Sequence, residues 1–225
     1  YLHSATMVKA GIFLLARLWP VLAETEAYTV IVSSVGLVTM VLGAAVALFR
    51  HDLKSILAYS TISQLGMIVM LLGFSQRAAV VAAMLHILNH AAFKAALFMS
   101  AGIVEHETGT RDIRRLGGLA KAMPVTALVA TLAAASMAGL PPLGGFISKE
   151  LILGEAIAFA SPHAVWLLPL VVTLGATFSV AYSLRLAAHL FFGTPREEEP
   201  FARAHDPGAA LWASPALLTA LAVLL

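Results

Sequence analysis

The sequence predicts an all-α fold, a polytopic bundle of transmembrane helices with one helix broken near Pro141-Pro142. Three observations carry this expectation. The chain of 225 residues is 60% hydrophobic and 12% charged, where soluble domains run nearer about 45–50% and about 25%, and its mean hydropathy is +0.90. The apolar stretches are continuous rather than alternating, which excludes the strands of an outer-membrane barrel. Each is long enough to cross about 30 Å of hydrocarbon, which takes roughly 20 helical residues.

The predicted spans are residues 1–22, 30–49, 55–74, 78–104, 124–160, 164–193 and 209–225, together one transmembrane domain. The fifth is too long for one simple helix and is interrupted by Gly139-Leu140-Pro141-Pro142-Leu143-Gly144-Gly145. Loop charge decides between one broken crossing and two, because cytoplasmic loops carry an excess of Lys and Arg. The connection holding Glu24 and Glu26 has no basic residue; Arg50 and Lys54 follow the next span; Arg77 stands alone; then come Arg111, Arg114, Arg115 and Lys121. If residues 124–160 cross once, Arg196 and Arg203 return to the basic side. One broken helix is therefore expected, with loops 50–54, 105–121 and 194–208 cytoplasmic. Backbone groups freed at Pro141 and Pro142, beside Gly144 and Gly145, have to be buried in protein or line a wet cavity. The chain begins at Tyr1 inside one apolar run and stops at Leu225 inside another, so it is expected to be a fragment truncated at both ends.

Several function classes drop out. The formal charge is +2 and the basic residues fall between apolar runs instead of forming a stripe, so no nucleic-acid partner is expected. The absence of Cys removes disulfides, thiolate metal sites and cysteine nucleophiles. No cofactor and no metal are expected.

Ionisable residues inside spans need a reason, since each costs about 2.5–3.5 kcal/mol at a helix centre. Lys9 lies inside the first run with His3 nearby and Thr6 a turn before it. His86, His90 and Lys94 stand at i, i+4 and i+8 with Asn89 beside them, one polar stripe on an otherwise apolar helix. Lys149 follows the break, in Ser148-Lys149-Glu150. Imidazole both accepts and donates a proton near neutral pH, so such a stripe is suited to passing protons. The alternative is interhelical hydrogen bonding with the lysines paired to carboxylates. A metal hydrolase is disfavoured because Ile87, not Glu, follows the first His. Ser60, Ser63 and Gln64 share a helix face and are expected mainly to tie helices together. Glu150 is a candidate partner or proton donor from another face. Tyr182, Arg185 and His189 are expected at the membrane interface, with Arg185 reaching toward headgroups, and Glu105 to Arg115 are expected to form a solvated connection.

Four segments carry a resemblance. Leu2 to Gly11 (LHSATMVKAG), Asp52 to Gly66 (DLKSILAYSTISQLG), the His86 to Lys94 stripe, and Gly145 to Glu150 (GFISKE) resemble, in order, the antiporter-like subunits shared by respiratory complex I and the multisubunit Mrp-type Na+/H+ antiporters. Lys9 and the stretch from His106 to Leu119 look most like the large A-type subunits of the Mrp antiporters. The resemblance implies two inverted repeats, each with a broken helix and a buried lysine, of which this chain would hold the last helix of the first repeat and nearly all of the second. It implies a proton-translocating subunit rather than an enzyme, with Lys149 as the broken-helix lysine, Lys94, His90 and His86 as the connecting relay, and Lys9 and His3 as the link to the first channel. It also implies other membrane subunits as partners, H+ and Na+ as transported ions, and a bacterial inner (plasma) membrane location. A proton-pumping subunit of complex I or of a membrane-bound hydrogenase is the nearest alternative, and a structural subunit with charge-paired lysines is another.

Overall fold

The computed structural model describes residues 7–163 and 166–224, with the side chains of 161–163 excepted; His3 and Thr6 lie outside the described residues. After a 3-10 turn at Met7–Lys9 come α1 (Ala10–Leu22), α2 (Glu26–Phe49), α3 (Leu53–Leu72), α4 (Arg77–Thr108), α5 (Pro124–Ala138), α6 (Gly144–His163), α7 (Leu167–Phe191), the short α8 (Glu198–Arg203) and α9 (Ala209–Leu224). Four of them, α2, α3, α4 and α7, are long and apolar enough to cross a membrane, and α5 and α9 are shorter apolar helices. The polytopic helical fold with a broken helix is thus as the sequence predicts.

The expected spans shift at their ends. The first described helix begins only at Ala10, which places Lys9 in the preceding turn. The fourth runs on through Glu105 to Thr108, residues expected in the loop, and at 32 residues it rises about 48 Å, well beyond the hydrocarbon. It stops at Gly109, whose φ of 71° gives the left-handed C-cap that a Cβ disfavours. Helix α3 begins at Leu53 because Asp52 caps it, accepting from Ser55 N at 2.8 Å.

Helix α4 is the centre of the bundle and packs on α3, α5, α6 and α9. The most extensive pairing is α2 on α3, and the reason is glycine. A Cβ on Gly36 would sit 2.7 Å from Gly66 O, and one on Gly66 would sit 3.0 Å from Met40 Cα. The two backbones touch directly, as small residues permit in membrane helices. On the opposite faces Val30, Val35, Val38 and Leu42 of α2 and Phe13, Leu14 and Val21 of α1 stay exposed, apolar surface suited to lipid or neighbouring protein.

The three basic connections are joined to one another. Asp52 and Asp112 form an isolated bridge, with Leu53 N donating to Arg111 O and Ile113 N to His51 O, both at 2.9 Å. Arg115 pairs with Glu197 at 2.7 Å, and Arg196 donates to Ile113 O at 2.7 Å. Arg114, hydrogen-bonded beside Asp112, holds the pKa of that carboxyl down to about 2. Because the connections after α4 and after α7 meet at one end, the chain between them crosses the bundle an even number of times. That fits one broken crossing plus α7, and not two crossings plus α7. Helix α5 alone, with 15 residues, rises only about 22 Å.

Helix α5 carries no side-chain cap of its own, and Pro124 opens it. Its acceptor comes from the far connection: Asp206 receives Val125 N at 2.8 Å, Thr126 N at 3.0 Å and Thr126 Oγ1 at 2.7 Å. Asp206→Ala is expected to lower stability by about 1–2 kcal/mol, read as a lower unfolding midpoint of the purified complex with transport per assembled complex preserved.

Candidate functional site

The break between α5 and α6 is built by local chemistry. Gly139 ends α5 at φ 84° and caps it, its N donating to Ala135 O and Ser136 O, both at 3.0 Å; Pro141-Pro142 is a cis peptide. Gly145 lets the start of α6 close on the end of α5, since a Cβ there would lie 2.7 Å from the Ser136 carbonyl carbon. The last carbonyls of a helix have no intrahelical donor, and here Lys149 supplies one. Its Nζ donates to Met137 O at 2.8 Å, Ala138 O at 3.0 Å and Ser179 Oγ at 2.8 Å. All three ammonium protons are thereby placed, against dipoles that favour a cation.

From Ser179 the hydrogen bonds continue across three helices. Gln64 Nε2 donates to Ser179 Oγ at 3.1 Å and to Tyr182 OH at 3.0 Å, and its Oε1 lies 2.7 Å from His86 Nε2. The other ring nitrogen, Nδ1, is 3.0 Å from Ser148 Oγ, and Ser148 Oγ donates to Gly145 O at 3.2 Å. Asn89 Nδ2 donates to Gly144 O at 3.1 Å, fastening α4 to the first residue of α6. The ring runs Lys149, Ser179, Gln64, His86, Ser148, back to the residue beside Lys149.

Lower on α4, Lys94 is fully buried and donates to Leu57 O at 3.2 Å and to Ser60 Oγ. Between the two lysines sits His90, also fully buried, its ring 6.4 Å from that of His86 and 5.5 Å from that of Phe93. Neither nitrogen of His90 has a hydrogen-bond partner among the described residues, and the same holds for Asn89 Oδ1. Lys9 Nζ donates to Ile87 O at 3.3 Å, so the first helix is tied to α4 beside the same row. Among the described residues, no carboxylate oxygen lies within 4 Å of the Lys9, Lys94 or Lys149 nitrogen. Among the described residues, no group of three or more His, Asp and Glu is placed to hold a metal.

Lys149 also borders a cleft of about 260 Å³ between α6 and α7, lined in part by Gly139, Glu150, Thr173 and Thr177. Glu150 itself is exposed at the cleft edge, pointing away from the ring as its i+1 position requires.

Two sequence expectations are corrected. Tyr182 is 1% exposed and inside the bundle, hydrogen-bonded to Ser179 at 3.1 Å, where an interfacial position was expected. Arg185 does not reach outward: its Nη1 donates to Leu48 O and, at 2.7 Å, to Arg50 O, closing the C-terminus of α2. The orphan carbonyls there outcompete the headgroups for the guanidinium. His189, on the same helix, bonds Arg196 at 2.8 Å near the surface. Sequence reasoning missed Ser179 altogether; its one signal is the polar spacing Ser179, Tyr182, Ser183 on an apolar helix.

Known proteins share this architecture. The family described as NADH:quinone oxidoreductase/Mrp antiporter, transmembrane, matches residues 1–177. A probable A/B-type K+/H+ antiporter subunit of Rhizobium meliloti is 55% identical over 211 residues, 92% of this chain and 21% of that protein. The A-type Na+/H+ antiporter subunit of Bacillus subtilis is 45% identical over 240 residues, 99% of this chain and 30% of that protein. Among solved structures, a chain of the Mrp complex from a Dietzia species superposes with TM-score 0.86 at 43% identity, covering all of this chain and 24% of that one. A chain of an archaeal membrane-bound sulfane sulfur reductase gives TM-score 0.90 at 27% identity, covering 99% of this chain and 38% of the other. The chain thus spans less than a third of the length of these two curated relatives, and nearly all of it lies within their similarity. It belongs to the transmembrane subunit family shared by NADH:quinone oxidoreductases and Mrp antiporters.

Proposed function

We propose that the chain is the second-channel part of a proton-translocating subunit in a multisubunit monovalent cation/H+ antiporter of a bacterial plasma membrane, with connections 50–54, 105–121 and 194–208 cytoplasmic. The observation that carries this reading is the row of ionisable side chains from the half-buried Lys149 through the buried His86 and His90 to the buried Lys94, none neutralised by a carboxylate of the described chain. Lys149 exchanges protons with water in the α6–α7 cleft; His90, whose nitrogens lack partners among the described residues, is joined to its neighbours by bridging water. Lys9 ties the row toward the first repeat, with His3 as its proposed companion. Movement of charge along the row is coupled electrostatically to cation movement elsewhere in the complex. The relatives' names support Na+ as the cation, and K+ is the second reading because the 55% identical relative carries it in its name.

Lys94→Ala in the assembled complex is expected to cut Na+/H+ and K+/H+ exchange in everted vesicles by about a hundredfold, the scale of losing one positioned proton-transfer group. Unchanged exchange with an unchanged pH profile would leave the stripe purely structural. Solid-state titration of the lysine nitrogens separates the transport reading from a scaffold of fixed charges, which would not titrate near neutral pH. Purification of the native complex separates it from the redox-driven alternative: small Mrp-type membrane subunits on one side, quinone-linked or hydrogenase proteins on the other.

A further inference from the structure

We infer a second proton-binding site, away from the row, where His205 and Glu107 hold one proton between them and clasp the last connection to the end of α4. It lies at the end of the bundle where the basic connections meet, and it stands whether or not the row carries protons. Glu107 has a side chain only 8% exposed, shielded enough to need partners. Among the described residues its ion-pair partners are histidines alone: His106 Nδ1 is 3.0 Å from Oε1 and His205 Nε2 is 3.3 Å from Oε2. The neighbouring cations are committed elsewhere. Lys54 and Arg111 pair with Glu105, and Arg203 pairs with Glu199 at 2.7 Å. Helices α5 and α9, which flank the connection, carry no charged residue.

The two nitrogens of His205 face oxygens that only accept. Nδ1 is 3.0 Å from Arg203 O, and Nε2 is 3.3 Å from the carboxylate of Glu107. A neutral imidazole carries one N–H, so in either tautomer a nitrogen lone pair meets an oxygen lone pair. Turning the ring over sets carbons against both oxygens and restores neither contact. The doubly protonated ring suits both at once, and moving the shared proton onto Glu107 leaves the count the same. His106 differs. Its Nδ1 alone meets Glu107, and a neutral ring with its proton on Nδ1 makes that bond equally. Of the two histidines only His205 needs the extra proton, so His205 sets the pH response.

The closed clasp holds one more proton than the open one, so it is favoured as pH falls and lost as pH rises. What it steadies comes next along the chain. Asp206, the residue after His205, supplies the acceptors for Val125 N, Thr126 N and Thr126 Oγ1 at the start of α5. Helix α5 is also the half-helix whose other end Lys149 closes. Proton loss at the surface therefore loosens the outer end of α5 and leaves the bonds of the row untouched. Both histidines are largely exposed, so the effect has the size of a surface ion pair, about threefold to fivefold in an equilibrium.

The test uses the assembled complex in detergent. Nitrogen-15 spectra of His205 should show both ring nitrogens protonated at about pH 5.5 and one at about pH 8, either side of the ordinary imidazole value. A ring already neutral at the lower pH overturns the inference. Protection of the Val125 and Thr126 amides against hydrogen exchange, corrected for the pH dependence of the exchange chemistry, should fall about threefold to fivefold between the same two values. His205→Lys, charged throughout, should keep the higher protection at both, and His205→Ala should show the lower at both. His106→Ala should leave the fall in place. Protection that does not change with pH in the unmodified complex, a fall that persists in His205→Ala, or one that His106→Ala abolishes overturns the inference. None of these readings depends on cation/H+ exchange, so full exchange in Lys149→Ala would overturn the transport reading and leave this site standing.

Discussion

Lys149→Ala, in a complex that assembles normally, is expected to abolish cation/H+ exchange in everted vesicles. The side chain performs two tasks that the substitution removes together. It is the one ionisable group of the row that borders the α6–α7 cleft, so its loss disconnects the buried row from water on that side. It also closes the C-terminus of α5, donating to Met137 O, Ala138 O and Ser179 Oγ. Hydrogen bonds from a charged group contribute about 1.5–3 kcal/mol each, so exchange is to be normalised to the amount of co-purified partner subunits. Lys149→Arg separates the tasks: the guanidinium still caps the helix, but it stays protonated at any usable pH and cannot release a proton. Assembly near the unmodified level with exchange near zero is the expected result for Arg. Full exchange in either variant would remove Lys149 from the pathway.

Gly145→Val is expected to have the second largest effect, and on assembly rather than on rate. A Cβ at this position falls onto the Ser136 carbonyl and 2.7 Å from its carbon. Those are backbone atoms of the last turn of α5, which no rotamer change moves aside. The two half-helices would have to separate, taking the Lys149 ammonium from its carbonyls and Ser148 from His86. Overpacking a core costs about 1–3 kcal/mol where side chains adjust, and this clash lies at or above the upper end. Loss of assembled complex from detergent extracts, or a clearly lower unfolding midpoint, is the measurement. Gly145→Ala should give the same direction with a smaller size; a Val variant of full stability would contradict the close approach.

Features that depend on hydropathy and on spacing along one helix were legible in the sequence, and those that depend on depth and on long-range caps were not. The His86, His90 and Lys94 stripe was legible because 3.6 residues per turn fixes a common face without any knowledge of neighbours. The break was legible because two prolines leave donors missing. Tyr182 and Arg185 were read at the same interface because both stand near the end of the sixth predicted span. In the bundle they part company: one hydroxyl turns to Gln64 and one guanidinium to Leu48 and Arg50. Nothing local distinguishes them, since the distinction is made by α2 and α3. Asp206 illustrates the same limit, standing 80 residues from Thr126 in the first turn of the helix it caps. The chemistry of a row is written along one helix, whereas its insulation and its anchoring are written across several.

The seam between α2 and α3 has a mechanical consequence. Where Gly36 meets Gly66, main chain rests on main chain, and no flexible side chain lies between to act as a bearing. Two helices so joined resist sliding and rolling, and they respond to a push as one plank. That plank carries Ser60 and Gln64, and so the partners of both Lys94 and His86, on a single rigid edge. A displacement large enough to free one contact therefore tends to free the other, and these two proton-bearing groups of α4 are geared to one another without any contact between them.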